Sequence, residues 1–147
     1  MIRNTRHAGL VVRDLERSIA FYEALGLAVW KREIETGLFI ETVVGIVGVT
    51  LEWAKLRVPD GSLVELLQYR SHPDSKAVEK APSNRLGCSH IAFTVESLQR
   101  ACERILQLGG SKVNDPVRSP GGNVLVAYCH DLDGILLELV EELDNNG

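Results

Sequence analysis

Apolar and polar positions alternate at two places along the chain, and each time they give way to a helical spacing. Near the N-terminus Ala8, Leu10 and Val12 alternate with His7, Gly9 and Val11; further on, Ile91, Phe93 and Val95 alternate with His90, Ala92 and Thr94. A period of two predicts a strand with one set of side chains on each face, so each histidine shares a face with mostly small neighbours. Asp14 and Ser97 follow as N-caps. Behind them Leu15, Ile19 and Tyr22, and Leu98, Cys102, Ile105 and Leu106, recur at helical spacing until Gly26 and Gly109 end the helices.

Three strand-like runs come next in each half, at 27–35, 49–58 and 62–70 and at 112–117, 123–130 and 134–140. Pro59-Asp60-Gly61 and Asp131-Leu132-Asp133-Gly134 supply the turns that make the last two strands of each half a hairpin. The halves are copies of one module. His7 to Leu27 aligns without gaps on His90 to Gly110, pairing Val12 with Val95, Leu15 with Leu98, Arg17 with Arg100 and Gly26 with Gly109. A second match follows in the same order, Asp60 to Leu66 on Asp133 to Leu139, both fitting DGxLxEL. The expected fold is α+β: two tandem βαβββ modules, about 5–70 and about 88–141, whose sheets curl into a single cup. The first copy is ten residues longer between its glycine and its turn, which places an apolar insertion at 36–48, expected as a short helix or a flap over the cup mouth. Residues 71–87, with Pro73, Pro82 and mixed charges, read as a linker of 17 residues, long enough to join two packed sheets within one chain.

Composition narrows the function classes. A chain of 147 residues, 45% hydrophobic and 24% charged, forms one compact domain and not a disordered segment. Sixteen Lys and Arg against twenty Asp and Glu leave a net charge of −4, without the positive field that a nucleic acid partner requires. With no apolar run of about 18 residues and no hydrophobic leader, the expectation is a soluble cytoplasmic protein without membrane contact. Cys88, Cys102 and Cys129 are odd in number and lack CxxC spacing, so they read as small apolar residues.

The duplicated histidines and glutamates carry the candidate chemistry. Glu65 interrupts Leu63-Val64-Glu65-Leu66-Leu67, and Glu138 interrupts Ile135-Leu136-Leu137-Glu138-Leu139. Taken singly, each glutamate fits a solvated sheet face and each histidine a strand residue bonded to a carbonyl. As a set of four at equivalent places, His7, Glu65, His90 and Glu138 point to one divalent cation, which removes the cost of carboxylates inside a sheet. Two imidazoles and two carboxylates suit six-coordinate Ni, Co, Zn, Mn or Fe without separating them. His72 and His130 read as ordinary surface or turn residues. Trp30, Trp53 and Tyr69 are either packing residues or the lining of a pocket, and Arg13, Arg32 and Arg118 are candidates to hold a carboxylate or phosphate.

On these residues the chain resembles the vicinal oxygen chelate superfamily, the glyoxalase, bleomycin-resistance and ring-cleaving dioxygenase group. The echoes are His7 to Ser18 with Phe21-Tyr22 and Leu25-Gly26-Leu27, then His90-Ile91-Ala92-Phe93, then Asp131-Leu132-Asp133-Gly134 before Glu138; Leu132 departs from the family's usual Asp-Pro-Asp-Gly. The resemblance implies that His7, Glu65, His90 and Glu138 are the metal ligands of the glyoxalase I type, with Glu138 or Glu65 also the proton-transfer base. It implies a lyase or isomerase acting on a small vicinal dioxygen substrate, first of all a thiol adduct of a 2-oxoaldehyde. The alternatives are a methylmalonyl-CoA epimerase-like isomerase, in which Glu52 would have to serve as the extra carboxylate, a ring-cleaving dioxygenase, and, in another class, a drug-binding resistance protein. The expected assembly is a homodimer pairing outer surfaces or strand edges, with each metal site made within one chain.

Overall fold

The computed structural model describes residues 1–143. The chain divides into two compact units, Met1–Lys76 and a second beginning at Ala77, a boundary inside the stretch read as linker. The fold is α+β, with one mixed sheet in each unit.

In the first unit the order is β1 (Ala8–Val11), α1 (Leu15–Glu23), β2 (Ala28–Glu35), α2 (Leu38–Val44), β3 (Leu51–Arg57) and β4 (Leu63–Tyr69), and the sheet runs β1-β4-β3-β2. β1 lies parallel to β4 and the other pairs are antiparallel. Asp14 caps α1 by accepting from the backbone N–H of Arg17 at 3.1 Å, as its position before an apolar periodic run predicts. The helix buries Leu15, Ile19, Phe21 and Tyr22, and the amide side chain of Gln68 on β4 accepts from the Leu15 N–H at 2.8 Å. That bond fixes α1 on the face of the sheet that carries Val64, Leu66 and Gln68. The insertion is the short helix α2, ended by Gly45. It packs on the opposite face, where Ile40 joins Val49, Leu51 and Trp53, with Val44, Ile46, Leu67 and Tyr69 at the margin. Trp53 and Tyr69 are therefore packing residues.

The second unit repeats the plan: β5 (Ile91–Thr94), α3 (Leu98–Gln107), β6 (Ser111–Lys112), β7 (Val117–Arg118), β8 (Val124–His130) and β9 (Leu136–Glu142), in the order β5-β9-β8-β6 with β7 also on β8. Ser97 caps α3 through the Arg100 N–H. The helix packs Leu98, Cys102 and Ile105 on the sheet face that carries Leu137, Leu139, Ala127 and Cys129.

Three expectations change. The strand read at 112–117 is two short pieces along one edge of β8. Between them the Asn114 side chain accepts from the Tyr128 N–H at 2.8 Å, and Pro116 has no N–H to give to a ladder. His130 is buried, not a surface residue: its Nε2 lies 2.9 Å from the Ala81 carbonyl oxygen and its Nδ1 3.3 Å from Ser111 Oγ. Together with the Ala81 N–H on the Gly134 carbonyl at 2.9 Å, this fastens part of the expected linker to the second sheet. Cys88 is exposed, whereas Cys102 and Cys129 are buried with their sulfurs 3.9 Å apart.

Candidate metal centre

Strand register decides which side chains share a face. In the parallel pair of the first sheet Gly9 stands opposite Glu65, and in that of the second Ala92 stands opposite Glu138. His7 and His90 each lie two residues before that small neighbour and so project from the same face as the glutamate. In each unit this is the face away from the long helix.

The result is two His–Glu pairs. His7 Nε2 is 2.6 Å from Glu65 Oε2, and His90 Nε2 is 2.8 Å from Glu138 Oε2. The side chains of the first pair are 28% and 11% exposed and those of the second 31% and 24%, so Glu65 is buried and the other three are partly exposed.

The Ser89 hydroxyl lies 2.7 Å from the Ser83 carbonyl oxygen and 3.1 Å from His90 Nδ1, which orients the ring so that Nε2 faces Glu138. At His7 the Nδ1 is buried and has no hydrogen-bond partner among the described residues. The 2.6 and 2.8 Å separations also lie near the roughly 2.8–3.1 Å between neighbouring donors on one octahedral ion with bonds of about 2.0–2.2 Å. Among the described residues no three or more His, Cys, Asp or Glu side chains are grouped for an ion; each unit supplies a pair.

The next strand brings in residues that sequence reading missed. Lys55 stands opposite Glu65 and Tyr128 opposite Glu138. The Tyr128 hydroxyl lies 3.5 Å from Glu138 Oε2, and its ring centroid is 5.3 Å from that of His90. Burial, and then the adjacent Glu138 charge, push the phenol above its ordinary value. The signal was present: each residue precedes its glutamate by the same interval, and the two hairpins align.

Other candidates fall away from this face. Glu52 pairs with Gln68 and so lies on the α1 side, opposite Glu65. There it is buried and accepts from Arg32 Nε at 2.9 Å and Arg70 Nε at 2.8 Å, which hold its carboxyl below the usual range. It is a structural anion and not the extra base of an epimerase. Arg32, bridging Glu52 and Glu16, is likewise committed. Arg118 donates to the Gly122 carbonyl and Arg13 to that of Lys76. Trp30 is half exposed at a bulge in β2, beneath the Arg57 guanidinium. His72 is exposed beside Ser71, as expected.

A doubled βαβββ fold with a His–Glu pair on the open face of each sheet defines a class. The sequence profile of the Glyoxalase/Bleomycin resistance protein/Dioxygenase superfamily matches residues 5–139, and the chain belongs to that family. It is 29% identical to the lactoylglutathione lyase of Salmonella typhimurium, over 94% of this chain and 92% of that one. It is 26% identical to a probable lactoylglutathione lyase of Synechocystis, covering 92% of each. Among solved structures, a glyoxalase family protein from Bacillus cereus superposes with a TM-score of 0.89 at 29% identity, over 97% of this chain and 96% of that one.

Proposed function

We propose that the protein is a metal-dependent lyase or isomerase of the glyoxalase I kind, converting a thiol adduct of a 2-oxoaldehyde to the 2-hydroxy thioester. The observation that carries the reading is the duplicated His–Glu pair, with an imidazole Nε2 2.6 and 2.8 Å from a carboxylate oxygen at the equivalent place in each sheet. Likeness to lactoylglutathione lyases over nearly the whole chain supports the substrate class.

His7, Glu65, His90 and Glu138 would be the residues that hold a divalent ion. The ion supplies Lewis-acid polarisation of the substrate carbonyl and stabilises the negative charge that develops on its oxygen. The protein's own part is proton transfer. A carboxylate oxygen of Glu138 or Glu65 takes the hydrogen from the carbon bearing sulfur and hydroxyl and delivers a proton to the neighbouring carbonyl carbon, while the hydroxyl proton passes to the former carbonyl oxygen. Ser89 Oγ, 3.1 Å from His90 Nδ1, would hold the ring with Nε2 toward the ion.

The test loads purified protein with Ni, Co, Zn, Mn or Fe and offers methylglyoxal with several thiols, methylmalonyl-CoA and catechol. Turnover of the thiol adducts, with metal content lowered in Glu65→Ala and His90→Ala while far-UV circular dichroism is unchanged, is the expected result. Catechol cleavage with iron, or unaltered metal occupancy in both variants, overturns it.

A further inference from the structure

The helix–sheet layer of the second unit holds two nucleophiles that the proposed reaction does not use. Cys102 on α3 and Cys129 on β8 are 2% and 0% exposed, and their sulfurs lie 3.9 Å apart. The first unit fills the same layer without sulfur. In the alignment of the two copies Cys102 falls on Ile19 of α1 and Cys129 on Leu56 of β3, both buried apolar residues. A single cysteine among such residues packs as a small apolar group, but here both positions are cysteine and the two side chains meet.

Contact between the sulfurs makes the pair a dithiol. A disulfide bond is about 2.05 Å long, so each sulfur has to move by about 1 Å, a swing within reach of rotation about the Cα–Cβ bonds. Burial pushes the Cys129 thiol up to about 12 and raises Cys102 as well, but at Cys102 the Cys129 thiol and then the charge of Lys112 act against the rise. Lys112 stands opposite Cys129 on the edge strand β6. Cys102 is thus the thiol that ionises first, and Cys129 the one placed to attack its sulfur.

We propose that Cys102 and Cys129 are an oxidation site, converted by hydrogen peroxide to an intrachain disulfide that ties α3 to β8. The Cys102 thiolate attacks one peroxide oxygen and breaks the O–O bond, leaving a sulfenic acid and a hydroxide that takes up the lost proton as water. The Cys129 sulfur then displaces the hydroxyl from the Cys102 sulfur, and its own proton leaves with that hydroxyl as a second water. Two thiols and one peroxide give one disulfide and two waters. The closed loop contains β6 and β7, so the tie also braces the broken edge of the second sheet. Cys129 stands opposite Leu137 and its neighbour Tyr128 opposite Glu138, which puts the disulfide on the other face of the sheet from the His90–Glu138 pair.

The test uses the full-length Cys88→Ser protein, whose only thiols are the buried pair. It is reduced, treated with hydrogen peroxide, and then denatured in iodoacetamide. The protein is expected to take up two labels without peroxide and none after it, with a mass loss of two hydrogens, no covalent dimer, and a peptide joining Cys102 to Cys129. Its melting temperature should rise by about 10 °C, as closing a loop of this length implies, and should fall back with dithiothreitol. Cys102→Ala and Cys129→Ala in the same background should show neither the link nor the rise. Two labels retained after peroxide, oxygen added to the thiols in place of the link, a link between chains, or a link that leaves the melting temperature unchanged overturns the proposal.

Discussion

Gly9 stands opposite Glu65 in the parallel pair of β1 and β4, and the imidazole of His7, two residues before it, reaches the Glu65 carboxylate at 2.6 Å. A Cβ built there would meet only Leu67 Cδ1, at 3.5 Å, an ordinary contact. Gly9→Ala is therefore expected to fold and bind metal as wild type. Gly9→Leu should fold with metal occupancy reduced severalfold, because a branched side chain opposite Glu65 would project beside the His–Glu pair on the same face. Elemental analysis of the purified variants decides the matter; full occupancy in Gly9→Leu would show that the pair tolerates the bulk.

Glu52 is buried between Arg32 and Arg70, which are 35% and 45% exposed, so the network is partly screened by water. Glu52→Gln is expected to cost about 1–3 kcal/mol of stability in urea unfolding and to leave metal content unchanged. The two guanidinium groups hold the carboxyl below its unfolded value of 4.5, so its contribution is complete above that pH and is lost as pH falls through the lower, folded value. Wild-type stability should drop more steeply than that of Glu52→Gln from about pH 5 downward. Parallel acid profiles would contradict the assignment.

Gly61 and Gly134 hold the same place in the two duplicated turns, with φ of 90° and 77°. A Cβ at Gly61 meets nothing within 4 Å, whereas at Gly134 it would stand 2.2 Å from the Glu79 carbonyl oxygen. Both Ala variants carry the left-handed backbone penalty of about 1–2 kcal/mol. Only Gly134→Ala must also displace the segment at 79–81, which is bound to the turn through Ala81 and to β8 through His130. Denaturant midpoints should place Gly134→Ala well below Gly61→Ala, and similar midpoints would mean that the segment gives way freely.

Thiol chemistry should divide the cysteines. Burial, reinforced by the neighbouring Cys102, pushes the Cys129 thiol up to about 12, and burial also raises Cys102, while Cys88 is exposed. Native protein treated with iodoacetamide at neutral pH is expected to take up one label, at Cys88, and denatured protein three. Peptide mass spectrometry reads the sites, and native labelling of Cys102 would show that α3 opens from its sheet.

The sequence by itself determined the duplication, the capped helices and the equivalent place of each histidine and each glutamate in the two copies, because these rest on local periods of two and 3.6 residues and on a motif repeated whole; that each pair shares a face follows from strand register. It did not determine the side on which Glu52 lies. Residues 51–54 are all buried, since α1 covers one face of β3 and α2 the other, and a strand covered on both sides shows no alternation to read. The burial of His130 was equally hidden, since its partners Ala81 and Ser111 lie 49 and 19 residues away along the chain. The break in the strand at 112–117 follows from Asn114 taking the Tyr128 N–H across the sheet edge. Tertiary structure alone decided these points, because each depends on which distant backbone groups arrive beside a side chain once the layers are packed.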